Sequence, residues 1–379
     1  MSKETIFTNA RLVLEDEIVD GTLVVRDGCI ADVSEGPVAS GEDMEGDFIV
    51  PGLIELHTDH LEAHYSPRPG VRWDVTAAIQ SHDAQVASSG ITTVFDCLRL
   101  GSYESNGFER GEVRRLADAL RSAHDEDRLR AEHRLHLRCE VSAPNLLEHL
   151  SDFAGDDEVG LASLMDHAPG QRQFQTMDLY TQFFKVKRGL SDEEFDAFVK
   201  ARQADSAKYS RSNREAVAQH CREHGITIAS HDDATVEHVD EAIELGIRLA
   251  EFPTSIEAAR ASHEAGMSVL MGAPNIVRGK SHSGNIAARD LAEAGVLDVL
   301  SSDYVPFSLI HAPFVLADDM EAVSLPQAIA MVTATPARTA GLNDRGRIAE
   351  DLRADLVRVR RQTGVPVVRG VWREGRRVA

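Results

Sequence analysis

The sequence predicts an α/β fold, a (β/α)8 barrel with a small β-sandwich built from both chain ends, and three observations point to it. After Pro51-Gly52, short apolar runs alternate eight times with longer charged segments of helical period. Nearly every apolar run ends in a polar or ionisable residue, which suits the C-terminal mouth where such barrels keep their active sites. Residues 4–50 and the last stretch of chain share another texture, β-branched runs broken by turn residues.

The elements follow in order. "TIFTNARLVL", "GTLVVRDGCIADVSE" and "DFIV" read as N-terminal strands. The eight barrel strands are "GLIELHTD", "GITTVFDC", "LHLRCEVS", "GLASLMDH", "GITIASHDDA", "GIRLAEFP", "MSVLMGAPN" and "VLDVLSSDYVP", each followed by enough chain for a loop and a helix. No GxGxxG follows the first of them, and eight units suit a closed barrel better than an open doubly wound sheet. "GRIAEDLRADLVRVRRQ" and "VPVVRGVWREGRRVA" return to β texture, so the two ends are expected to pair. The resulting partition is 1–50 and 335–379 for the sandwich and 51–334 for the barrel. The charged, helical section 146–220 reads as an elaborated connection able to cover the mouth.

Composition narrows the function. A chain of 379 residues with 42% hydrophobic residues buries a substantial core. Its formal charge of −22, from 40 basic and 62 acidic residues, disfavours nucleic acid and anionic membranes as partners. Any anionic substrate must then meet a locally positive pocket. Cys29, Cys97, Cys139 and Cys221 are far apart and form no CxxC pair, as expected of free thiols in a reducing compartment. The N-terminus lacks a signal-peptide pattern and no apolar run reaches membrane-spanning length, so a cytoplasmic location is expected.

The strand ends carry the chemistry. In "LIELHTDH" the period of two puts His57 and Asp59 on one face and His60 on the other. Glu140, His167, His231 and Asp303 occupy the same relative place in their own units, and a barrel converges such positions on one axis. Imidazole and carboxylate without cysteine suit zinc foremost, with manganese, iron or nickel as alternatives, and argue against a pure calcium site. One or two divalent ions are expected. Glu140 is the candidate for bridging two ions, and Asp303 for taking a proton from a water that the metal acidifies, which makes the reaction a hydrolysis. Each residue taken singly has a plainer reading: a strand-end Asp or His caps the next helix, and His167 before Ala-Pro-Gly serves as a turn residue. Asp232 and Asp233 are expected to cap or to orient a ligand histidine.

Loops after the strand ends hold cations: Arg68 and Arg72 in "SPRPGVRW", Arg172 in "APGQRQF", Lys185, Lys187 and Arg188 in "FFKVKRG", and Arg278, Lys280 and His282 in "NIVRGKSHSGN". Arginine forks match phosphate oxygens, and neighbouring glycines allow close backbone approach. The plain alternative is a set of solvated surface cations.

The combination "VPGLIELHTD", "SSDY" and "TPARTAGLNDRGRI…RADLV" resembles the amidohydrolase superfamily. More closely, "HTDHLEAHYSPRPGVRW", "SLMDHAPGQRQF", "VLMGAPNIVRGKSHSGN" and "LSSDYVP" resemble a diphosphatase family of the carbon–phosphorus lyase pathway of phosphonate breakdown. The resemblance implies a mono- or binuclear metal centre held by His57 with Asp59, Glu140, His231 and Asp303. Two departures stand out: Asp59 replaces the second histidine of the usual His-x-His, and Glu251 stands where many members have a histidine. His167 is a candidate for the missing imidazole.

The implied reaction is hydrolysis of a ribose 5-triphosphate between its α and β phosphorus atoms, with a small phosphorylated sugar as partner. A homo-oligomer or association with other pathway enzymes is compatible with the resemblance. The competing readings are C–N or ester hydrolysis on the same scaffold and a non-catalytic scaffold barrel.

Overall fold

The computed structural model describes residues 4–101, 108, 110–172, 181, 185, 191–281, 285–361 and 364–379. Two eight-stranded sheets organise it. The first is made by β1 (Glu4–Val13), β2 (Ile18–Arg26), β3 (Cys29–Glu35), β4 (Glu42–Asp43) and β5 (Phe48–Pro51) together with the C-terminal β14 (Leu356–Arg360), β15 (Val367–Arg373) and β16 (Arg376–Arg377). The order is β16-β15-β14-β5-β1-β2-β3, with β4 beside β1, so the two chain ends do share one sheet. Its hairpins turn where the backbone enters the left-handed region, at Asp27-Gly28 (φ 51° and 89°) and Glu374-Gly375 (φ 51° and 66°), the aspartate- or glycine-rich geometry that matches strand twist. Phe7, Leu12, Leu23, Ile30, Ile49, Leu356 and Trp372 form its core, with Phe7 and Trp372 meeting edge to face at 4.9 Å.

The second sheet is the parallel barrel sheet of a (β/α)8 fold. It comprises β6 (Leu53–Thr58), β7 (Ile91–Leu100), β8 (Glu132–Glu140), β9 (Val159–Met165), β10 (Thr227–His231), β11 (Leu249–Glu251), β12 (Ser268–Gly272) and β13 (Val299–Ser301). These run in strict sequence order from β6 to β13, and the ladders β6–β7, β8–β9, β9–β10, β10–β11 and β11–β12 are parallel. Every predicted barrel strand falls on one of them. Their continuous apolar runs are those of strands buried on both faces. The front of "GRIAEDLRADLVRVRRQ" is the exception at the tail: residues 346–355 form no strand, and Arg353 makes one isolated bridge, to Cys29.

By packing, the chain forms two compact units. Met1–Asp96, Ala119–Arg134 and Met271–Ala379 make one; Cys97–Asp118 and Leu135–Leu270 make the other. In the second unit the helix Asp192–His224 starts with a Ser191/Glu194 capping box and stops at Gly225 in the left-handed conformation. Asn213 on it donates to the carbonyls of Val141 (2.8 Å) and Ala143 (3.0 Å), and Ser210 donates to Asp166 at 2.6 Å. The helix is thereby pinned to the loops that follow β8 and β9. No helix among the described residues is long and apolar enough to cross a membrane.

The first unit holds a buried charge network. His82 lies 2.6 Å from Asp96, and His133 lies 2.7 Å from Asp96 and 3.4 Å from Asp83, whose carboxylate also accepts the N–H groups of Arg130 and Ala131. Burial alone would lower the His133 pKa, but Asp96 and Asp83 reverse this and push it up to about 9. A group raised from 6.5 to about 9 contributes stability that is complete below the lower value and lost as pH rises through the upper one. The His133→Gln variant is expected to lose roughly 3–5 kcal/mol at neutral pH, the usual cost of breaking a buried pair, and to soften less than the parent above about pH 9. Calorimetric melts across this range check it, and parallel pH profiles for the two proteins would reject the assignment.

Candidate metal centre

The strand ends of the first unit contribute β6 and β13. On β6 the alternation turns Glu55 and His57 to one face, and both are buried, at 0% and 2% exposure. Glu55 accepts the N–H of His57 at 2.7 Å and that of Ser302 at 2.5 Å. Burial raises its carboxyl to about 8 against the opposing hydrogen bonds. Asp59 is the N-cap residue of the helix His60–Tyr65 but makes no cap bond through its side chain, so its carboxylate is not committed to the capping reading. His60 opens that helix, and burial chiefly lowers its pKa to about 4. His64 bonds Gln85 at 2.8 Å. Asp303 is half-buried with φ 53°, a left-handed conformation that costs most non-glycine residues energy and that aspartate tolerates better than most.

In the second unit, Glu140 closes β8, His231 closes β10 and Glu251 closes β11, while His167 follows β9. Glu140 accepts three hydrogen bonds, from the His167 ring (2.7 Å), the His167 N–H (3.1 Å) and the Ser142 hydroxyl (2.7 Å). Burial pushes the Glu140 carboxyl up, and these donors more than offset it, so the net shift is downward. His167 shifts upward, because the adjacent Glu140 outweighs its burial. The Arg138 Nε meets Met165 Sδ at 3.3 Å, and His167 is the partner that accompanies Glu140.

His231 lies beside Glu251 in the sheet register and its Nδ1 is 2.8 Å from Asp232 Oδ2. Burial lowers the His231 pKa despite that carboxylate, which favours the neutral ring that a metal needs. Asp232 and Phe252, the residues just past β10 and β11, both have positive φ, at 59° and 52°. Donor atoms of His167, His231 and Asp232 all lie within 4.8 Å of one another. Clustered imidazole and carboxylate of this kind fit a borderline divalent cation such as zinc. Asp232, expected to cap or to orient a ligand histidine, contacts His231 Nδ1.

The cationic loops divide. Arg68, Arg72 and Arg278 are exposed, with Arg72 donating to Ser66 at 2.9 Å and Arg278 3.4 Å from the Tyr304 hydroxyl. Arg172 is 5% exposed and paired with Asp233 and Glu241. Its guanidinium ties its loop to β10's outgoing segment and to the following helix. Lys187, Arg188 and His282 lie outside the described residues.

Four residues escaped the sequence reading. Glu55 and His136 would have been found by counting back in twos from His57 and Glu140. Cys97, buried 3.5 Å from His136, was set aside with the other thiols. Arg99, at the end of β7, bears electrostatically on His167, and its buried Nε has no hydrogen-bond partner among the described residues.

A parallel (β/α)8 sheet with imidazoles and carboxylates gathered at its strand ends is the architecture of a metal-dependent hydrolase. Comparison with known proteins narrows the class. The profile described as "Amidohydrolase family" matches residues 256–379. The alpha-D-ribose 1-methylphosphonate 5-triphosphate diphosphatase of Escherichia coli (strain K12) is 46% identical over 98% of this chain and 100% of its own. Imidazolonepropionase of Deinococcus deserti is 24% identical over 95% of this chain and 92% of its own. Among solved structures, N-isopropylammelide isopropylaminohydrolase from Burkholderia multivorans superposes with a TM-score of 0.64 at 17% identity, over 99% of this chain and 98% of that one. A Xaa-Pro dipeptidase gives 0.64 at 15% identity, over 99% of both chains. The chain belongs to the family of the alpha-D-ribose 1-methylphosphonate 5-triphosphate diphosphatase, within the amidohydrolase superfamily.

Proposed function

We propose that the protein hydrolyses alpha-D-ribose 1-methylphosphonate 5-triphosphate to the 5-phosphate and pyrophosphate, as a cytoplasmic enzyme of phosphonate catabolism. The observation that carries this reading is the 46% identity to the diphosphatase along the full length of both chains. The exposed arginines at the loops support it, since a chain of net charge −22 needs local cations to receive a triphosphate.

In this reading His57, Asp59, Glu140, His231 and Asp303 hold one or two divalent ions, zinc foremost, with His167 either joining them or serving as the hydrogen-bond donor that keeps Glu140 ionised. Such an ion polarises a phosphoryl oxygen and acidifies an attacking water. Asp232 sets the ring of His231 through Nδ1. Asp303 accepts the proton from the water as it attacks the α phosphorus. Arg68, Arg72 and Arg278, with Arg99, stabilise the charge that develops on the departing pyrophosphate, and the loop motifs add Lys187 and His282 to that role. Arg172 pairs with Asp233 and Glu241, which supports reading it as holding its loop rather than as a phosphate ligand. Residues 1–50 and 335–379 act as one β-domain and 51–334 as the hydrolase barrel. Identification of the products by phosphorus NMR tests the proposal, with pyrophosphate and the 5-phosphate as the expected pair.

A further inference from the structure

We propose that Glu55 is a positioning residue that closes the seam between β6 and β13 and so sets the separation of His57 and Asp303; the inference rests on the roles given to those two residues above. The barrel sheet begins at β6 and ends at β13. Among the described residues, the pairing across that seam is a single bridge between Thr58 and Asp303. The hydrogen bonds beside it are long: the Asp59 N–H and the Thr58 hydroxyl both donate to the Asp303 carbonyl at 3.4 Å.

Glu55 supplies what the ladder lacks. Its carboxyl group is fully buried, and its two oxygens take one donor from each strand end, the His57 N–H at 2.7 Å and the Ser302 N–H at 2.5 Å. These are the short contacts at the seam, and they grip the backbone of His57 itself and of the residue before Asp303. Asp303 sits in a left-handed conformation, which persists only where its surroundings over-determine it. A side chain spanning 247 positions of sequence therefore does the work of a ladder rung at the point where two functional side chains must be held in register.

Glu55→Gln keeps the size but places an NH2 group against one of two backbone donors, and Glu55→Asp is one methylene too short to reach both. The experiment measures zinc affinity of metal-depleted protein by competition titration, kcat and KM on alpha-D-ribose 1-methylphosphonate 5-triphosphate, and Tm. For Glu55→Gln we expect zinc affinity weakened about 10–100-fold, as for other residues that orient ligands, with kcat lowered at nearly constant KM. Glu55→Asp should fall between it and the parent. Unchanged zinc affinity and kcat in folded variants, with or without a lower Tm, would reduce Glu55 to a structural residue. Failure of both variants to fold would also overturn the proposal, since a clamp confined to two strand ends is not needed for folding. A parent protein that takes up no zinc would instead remove the metal reading underneath.

Discussion

Replacing Asp303 by asparagine is expected to lower kcat by about 10²–10⁴-fold, the contribution typical of a positioned proton acceptor, while leaving KM and Tm close to those of the parent. The substitution is nearly isosteric, and asparagine tolerates the φ of 53° found at this position. The bonds that Asp303 makes to Asp59 and Thr58 use its backbone carbonyl, so the change leaves them in place. What disappears is the carboxylate, both as a proton acceptor and as an anionic metal ligand, so the zinc content of the variant is measured beside its kinetics and the kcat is taken at saturating zinc. Steady-state kinetics with a parallel melt checks this, and near-parental kcat would move the role to another residue.

Removal of the metal should have the larger effect. Exhaustive chelation is expected to take turnover to background, and re-addition of zinc to restore it, with one or two equivalents recovered by elemental analysis. The expectation rests on the metal role proposed for His231, whose ring is buried, favours the neutral form and carries Asp232 on its Nδ1. Metal binding to the native state alone also stabilises it, by about 2.7 kcal/mol at a hundredfold excess over Kd, so the depleted protein should melt earlier. A metal-free protein that retains full activity would contradict the assignment of these side chains.

The barrel was legible because buried parallel strands declare themselves as continuous apolar runs, nearly all closed by a polar residue and separated by helical period; β6 to β13 all fell on such runs. The hairpin turns at Asp27-Gly28 and Glu374-Gly375 lie inside "GTLVVRDGCIADVSE" and "VPVVRGVWREGRRVA", segments whose β texture was legible although the turns within them were not placed. Partners across long sequence distances were not. Nothing local ties Glu55 to Ser302, or joins His82, Asp96 and His133. Arg172 reads as a phosphate ligand by its glycine-rich loop, yet its partners lie 61 and 69 residues away. Strand alternation locates which side chains share a face, but which charge meets which is decided by packing between segments that lie far apart in sequence.

The reaction itself is tested most directly by following alpha-D-ribose 1-methylphosphonate 5-triphosphate in oxygen-18 water by phosphorus NMR. Attack at the α phosphorus predicts unlabelled pyrophosphate and a labelled 5-phosphate. Release of inorganic phosphate, a label on the pyrophosphate, or an inert triphosphate beside a hydrolysed N-acetyl sugar would contradict it.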